Sequence, residues 1–277
     1  MSYERKTKMK KIIALLLALV MVFALVACGG NKDAGTDAGT DTGADANTDA
    51  QAGDSIEGGA AEGETAGDAE ADIPEEVVVM THEEFVAAEL DTQVVVETYV
   101  QNKQSWWDNK ATFYTQAEDG AYFIYNVACS EEDYEKLVPG TKIRVTGYKA
   151  EWSGEIEIVD GSFEILEGNY IAPALDVTAL LGTEELIAHQ NQFVCFKGMT
   201  VEAIEYKNGE PGDDIYVTLG YNGASYSFCI EVYLTGTETE VYQTVGTLKA
   251  GDVVDVEGFL YWYEGVNTHI TSVSAAA

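Results

Sequence analysis

In the stretch QVVVETYVQ (93–101), the β-branched residues Val94, Val96, Thr98 and Val100 fall on every second position, with Glu97 and Gln101 between and beyond them. A period of two belongs to a β-strand with one buried face. Runs rich in β-branched and aromatic residues recur at 111–116, 120–128, 142–150, 155–165, 192–205, 214–221, 225–234, 252–263 and 267–274, and each is predicted as a strand. Four segments read instead with a helical period. THEEFVAAEL (81–90) opens on a Thr81/Glu84 capping box, and SEEDYEKL (130–137) has Ser130 as its N-cap. LGTEELIAHQ (181–190) and EVYQTVGTL (240–248) complete the set.

The elements repeat. PGTKIRVTGYKAEWSG (139–154) aligns without a gap on AGDVVDVEGFLYWYEG (250–265), placing Gly147 over Gly258 and Trp152 over Tyr263. Upstream, Gln93 lies over Gln192, so the second copy carries extra residues, assigned to YKNGEPGDD (206–214) and TGTETE (235–240). Each copy then reads as a lead-in helix, three strands, a helix and two strands. This order resembles the OB-fold, a five-stranded Greek-key barrel with its helix between strands three and four. Gly147 and Gly258, each inside a strand, suit the bulge that turns a barrel corner. The predicted fold is therefore mainly β, with two tandem OB-fold-like barrels following an N-terminal tether. An immunoglobulin-like sandwich would need about seven strands per copy, without the helical interruption.

The N-terminus departs from this pattern. Five basic residues between Arg5 and Lys11 precede an apolar run from Ile12 to Ala27, and small residues follow. That is the order of a secretory signal, and Leu25-Val26-Ala27-Cys28 has the form of a lipobox. The apolar run is shorter than the roughly 20 residues that span a bilayer. Residues 1–27 are expected to be a lipoprotein signal peptide, with Cys28 lipidated and anchored on the extracytoplasmic face of a bacterial membrane. Residues 28–76, rich in Gly, Ala, Asp and Thr, are predicted to be a disordered acidic linker. The two barrels are assigned to 77–168 and 169–277. The chain also resembles surface lipoproteins of Firmicutes with tandem OB-fold-like domains, a likeness that implies location and fold but no activity.

Charge narrows the partners. The formal net charge is −33, and beyond residue 76 there are 33 acids against nine bases, Arg144 being the one arginine. Phosphate backbones are bound through lysines and arginines that displace counterions, so nucleic acid is set aside as a partner. The expected partners are the bilayer, through acyl groups on Cys28, and a glycan, peptide or protein. Beyond Cys28 the cysteines are Cys129, Cys195 and Cys229. A bridge between Cys195 and Cys229 is one reading, and buried free thiols are the favoured one.

Aromatic residues carry the candidate chemistry. Trp106 and Trp107 stand side by side before the second strand, and neighbours on a strand point to opposite faces. One is expected to plug the barrel end and the other to cover or form a surface. With them, Tyr114, Tyr122, Tyr125 and Trp152 are the candidate binding residues of the first copy, and Tyr216, Tyr226, Tyr233, Trp262 and Tyr263 those of the second. Such rings stack on bases or on the faces of sugars; equally, large aromatics fill cores and contacts between domains.

Nothing reads as catalytic. His82, His189 and His269 are far apart, and no nucleophile elbow, phosphate loop, HExxH or CxxC motif is present. NGEPGDD lacks the spacing of a calcium loop and reads as a solvated hairpin. No cofactor or metal is expected. The chain reads as a non-catalytic binding protein, the alternatives being an accessory subunit docking on a cell-envelope or transport complex, or a hydrolase using unrecognised carboxylates.

Overall fold

Val94, Val96, Thr98 and Val100 are fully buried and alternate with half-buried neighbours, as the period of two requires for strand β1 (Gln93–Lys103). The computed structural model of the chain describes residues 77–276. The signal peptide, Cys28 and linker expected from the sequence lie outside the described residues. Among the described residues, no helix is long and apolar enough to cross a membrane.

The first copy builds β2 (Lys110–Gln116), β3 (Ala121–Ala128), β4 (Thr141–Trp152) and β5 (Glu155–Asn169) around β1. The strands close in the order β1-β2-β3-β5-β4. Residues Gln93–Tyr99 of β1 pair with β4, while Val100–Lys103 turn to β2 across a bulge. Closure is completed by a short parallel pairing of β3 with β5, Phe123 opposite Glu157 and Ile124 opposite Ile158.

After a two-residue strand β6 (Leu175–Asp176), the second copy repeats the scheme with β7 (Phe193–Tyr206), β8 (Ile215–Tyr221), β9 (Ala224–Ile230), β10 (Val253–Phe259) and β11 (Asn267–Ala275). The order β10-β11-β9-β8-β7, with β10 returning to β7, closes a second ring of five, and β6 adds to β7 in parallel. Its closure is again a parallel pairing, β9 with β11, where Cys229 faces His269. This is the OB-fold order read from the sequence.

Gly147 and Gly258 sit at bulges in β4 and β10. A Cβ on Gly147 would lie 2.6 Å from Ile158 Cγ2, and one on Gly258 would collide with the His269 carbonyl. Both positions therefore require glycine for close backbone approach.

The helices follow their caps. In α1 (His82–Ala87), Thr81 Oγ1 accepts from the Glu84 amide and the Glu84 carboxylate accepts from the Thr81 amide, at 3.3 and 2.8 Å. The other end is held by Lys149, whose Nζ donates to the carbonyls of Phe85, Val86 and Ala88 at 2.8–3.0 Å. Helix α2 (Glu131–Lys136) starts at Ser130, whose Oγ accepts from the Asp133 amide.

Three predicted elements differ. In place of a helix over 181–190, 3-10 turns form at Thr178–Leu180 and Leu186–His189, with Gly182 between them in the left-handed region. The strand predicted over 225–234 ends at Ile230, because the Glu231 side chain accepts from the Tyr233 amide and caps a short helix α3 (Val232–Thr235) before α4 (Glu240–Val245). The strand predicted over 252–263 stops at Phe259, since Leu260 is drawn into hydrogen bonds with Asn191 and Gln192.

Each barrel has its own core, centred on Phe113, Ile124, Ile143 and Ile158 in the first and on Phe196, Met199, Phe228 and Leu219 in the second. A third cluster, of Tyr114, Phe123, Leu234, Phe259 and Tyr261, joins them. Cys129, Cys195 and Cys229 are buried and free. In the 206–214 loop, Lys207 pairs with Asp213 and Asp214, and no cluster fit to hold a metal occurs among the described residues.

Candidate binding cleft between the barrels

Every residue of β2 from Ala111 to Gln116 is buried. One face of this strand lines its own barrel and the other is covered by the second barrel. Tyr114 stacks on Phe259 with ring centroids 4.4 Å apart, and its hydroxyl lies 2.7 Å from His269 Nδ1. Polar groups lock the same junction. The Gln116 side chain accepts from the Phe193 amide at 2.8 Å, and Asn191 donates to the Ile156 carbonyl at 3.1 Å. Glu155, at the start of β5, is fully buried; its Oε2 accepts from the Trp262 amide at 2.8 Å and from Gln190 at 3.0 Å. Burial pushes its carboxyl up to about 8, against the usual 4.5.

Beside this junction the two parallel closures line one cleft of about 590 Å³. From the first barrel come Phe123, Tyr125, Trp152 and Glu157; from the second, Tyr216, Glu231, Tyr261, Tyr263 and His269. Phe123 and Tyr261 meet edge to face at 5.4 Å, and Tyr261 stacks on His269 at 4.4 Å. Trp152 and Tyr263, the residues paired by the sequence repeat, meet at 5.2 Å across the junction. Tyr125, Trp152, Tyr216 and Tyr263 are each between 42% and 52% exposed, so each ring offers a free face.

The charges are one-sided. Three carboxylates line the cleft, those of Glu157, Asp214 and Glu231, and no lysine or arginine does. Asp214 is neutralised by Lys207 at 2.9 Å. Glu231 accepts from the Gln104 side chain at 3.1 Å, and burial pushes its carboxyl up to about 7. Glu157 is 8% exposed and is also raised by burial. Among the described residues, no hydrogen bond or ion pair engages its carboxylate. His269 is fully enclosed, which pushes its pKa down to about 3 and keeps the imidazole neutral.

Of the eleven aromatic candidates, Tyr125, Trp152, Tyr216 and Tyr263 are brought together here. Trp107, 76% exposed, and Tyr233, 61% exposed, line a smaller neighbouring depression of about 350 Å³ that shares Tyr125 and Gln104 with the cleft. Trp106 is turned the other way, its indole N–H donating to the Cys129 carbonyl at 2.9 Å. The remaining four line neither depression: Tyr114 and Tyr122 are fully buried, which corrects their assignment to a binding face, and Tyr226 and Trp262 are half-buried. Tyr114 is buried at the junction and Tyr122 under Phe85. Tyr226 and Trp262 pack against the second core. Phe123, Tyr261, Glu157, Glu231 and His269 were not singled out by sequence. Their signal is positional: each lies on or beside a strand that closes a barrel.

No protein-family model matches the chain, and no curated protein matches it. Similar solved structures are a murine DNA-binding protein bound with double-stranded DNA (12% identity, TM-score 0.34, covering 66% of this chain and 96% of that one) and the HINa domain of Ifi202 in complex with 20-base-pair DNA (10%, 0.30, 68% and 98%). A replication protein A heterotrimer bound to single-stranded DNA is also similar (12%, 0.29), with this chain spanning about half of that one (49%) and matched over 67% of its own length. At such identities the likeness is one of fold. In these structures DNA is bound to those proteins, against the exclusion of nucleic acid expected from charge, and that exclusion is withdrawn.

Proposed function

We propose that this is a non-catalytic binding protein, lipid-anchored through Cys28 outside the cytoplasm, whose inter-barrel cleft takes a saccharide. The observation that carries the reading is the set of half-exposed aromatic side chains, contributed by both barrels, that line one concave site together with carboxylates. Sugar rings have apolar C–H faces that lie against indole and phenol rings, and hydroxyl edges that donate to carboxylates. The cleft volume falls in the roughly 300–1,000 Å³ range of small-ligand sites, and such sites favour junctions between domains.

A specific feature bears on the alternative of hydrolysis. Two-carboxylate glycoside cleavage sets a protonated acid beside an ionised partner. Here burial pushes both Glu157 and Glu231 upward, Glu231 to about 7.

Titration of the full chain with a panel of oligosaccharides, short peptides and DNA oligonucleotides, read by tryptophan fluorescence and calorimetry, tests the proposal. A saccharide that quenches the parent protein and not Trp152→Ala supports it. DNA binding with no saccharide response overturns it, and release of shortened sugars would make the protein a hydrolase. Anchoring is tested separately, by incorporation of labelled fatty acid into the parent chain and its loss in Cys28→Ser.

A further inference from the structure

Resting on the saccharide reading, we propose that the ligand carries a free amino group, and that its ammonium is held between Glu157 and Glu231 against the surrounding rings. Two independent observations converge on this. The cleft lining holds three carboxylates and no lysine or arginine, and only Asp214 has its charge answered, by Lys207. Glu157, more than nine-tenths buried, lines the cavity with a carboxylate that no described residue engages. Its oxygens keep access to solvent while the rest of the side chain is enclosed, and a cation delivered by the ligand gives this partly desolvated charge a partner.

The walls suit the same group. Tyr125, Trp152, Tyr216 and Tyr263 offer faces whose π electrons attract a desolvated ammonium. His269, buried and neutral, adds no opposing charge. An acetylated or unsubstituted sugar would meet the same rings and donate hydroxyls to the carboxylates, but would bring no positive charge to them. The chemical class is therefore an amino sugar with its nitrogen unacylated, free or within an oligomer.

The test compares three β-1,4-linked oligomers of equal length: glucosamine, N-acetylglucosamine and glucose. Each is titrated calorimetrically into the full chain at neutral pH and 0.15 M salt. The glucosamine oligomer is expected to bind at least about tenfold more tightly than the other two. Glu157→Gln is expected to remove that preference while leaving the weak binding of the neutral oligomers in place. Glu231→Gln serves the same purpose should the first variant not fold. Glu167→Gln, an exposed acid outside the cleft, controls for attraction by the overall negative charge and should change nothing. Equal affinity for all three oligomers overturns the amine inference and leaves the saccharide reading standing. Preference for the amine that survives both cleft variants also overturns it, and no binding of any oligomer overturns both readings.

Discussion

The hydroxyl of Tyr114 lies 2.7 Å from Nδ1 of His269, joining the first barrel to the second through a hydrogen bond sealed from water. Removing one partner leaves the other buried and unsatisfied, which costs about 1–3 kcal/mol. Tyr114→Phe is therefore expected to lower stability by roughly that amount in urea denaturation. His269→Phe should cost a similar amount, and the double variant less than the sum of the two. Strict additivity would show that the pair is not coupled.

The repeat glycine of the second copy makes a sharper demand. A Cβ at Gly258 runs into the backbone of β11, where only a shift of the strand can make room. Gly258→Ala is expected to cost about 1–3 kcal/mol or more, the range of overpacked cores. Thermal unfolding checks it; a melting temperature within a degree of the parent would mean that the bulge relaxes freely.

The barrel order was legible because a period of two and a duplicated Gly-centred strand both follow from local geometry. What failed was reading exposure. In EIEIVD (155–160) the acids alternate with isoleucines, the pattern of a strand whose polar face meets water. That face meets the other barrel instead, so Glu155 and Glu157 are buried. Tyr114 was misread for the same reason, since period-two reasoning sees one barrel at a time. The repeat alignment did hold the clue to the cleft, for it superposed Trp152 on Tyr263 and the two rings meet across the junction.

Buried Glu155 gives stability a direction with pH. Its pKa is about 8 in the folded chain against an ordinary 4.5, so the folded state keeps a proton that the unfolded state has lost. Stability is then lost as pH rises from about 4.5 through 8, with Glu231 contributing in the same sense up to about 7. His269 opposes it at the acid end. With a folded pKa of about 3 against 6.5, it costs stability as pH falls below 6.5. The expected profile is a maximum near pH 4.5, a shallow decline to 6.5 where His269 offsets one of the two acids, and a steeper one toward pH 8, measured by urea midpoints. Glu155→Gln should flatten the alkaline limb; an alkaline limb as steep as the parent's would place the titration elsewhere.

Trp107 and Trp152 are both exposed indoles, yet they are expected to behave differently toward ligand. Trp152 and Tyr263 line the cleft together with Glu157 and Glu231. Trp107 lies outside, in the depression beyond Tyr125. Loss of a stacking ring in a recognition site costs about 1–3 kcal/mol, so Trp152→Ala should weaken binding of a short saccharide roughly tenfold to a hundredfold. Trp107→Ala should leave that affinity unchanged and lower it only for oligomers long enough to pass Tyr125. Calorimetric titrations over a series of chain lengths separate the two. A Trp107 variant that loses the shortest ligand as completely as the Trp152 variant would move the binding site out of the cleft and onto the outer face of β2 and β3.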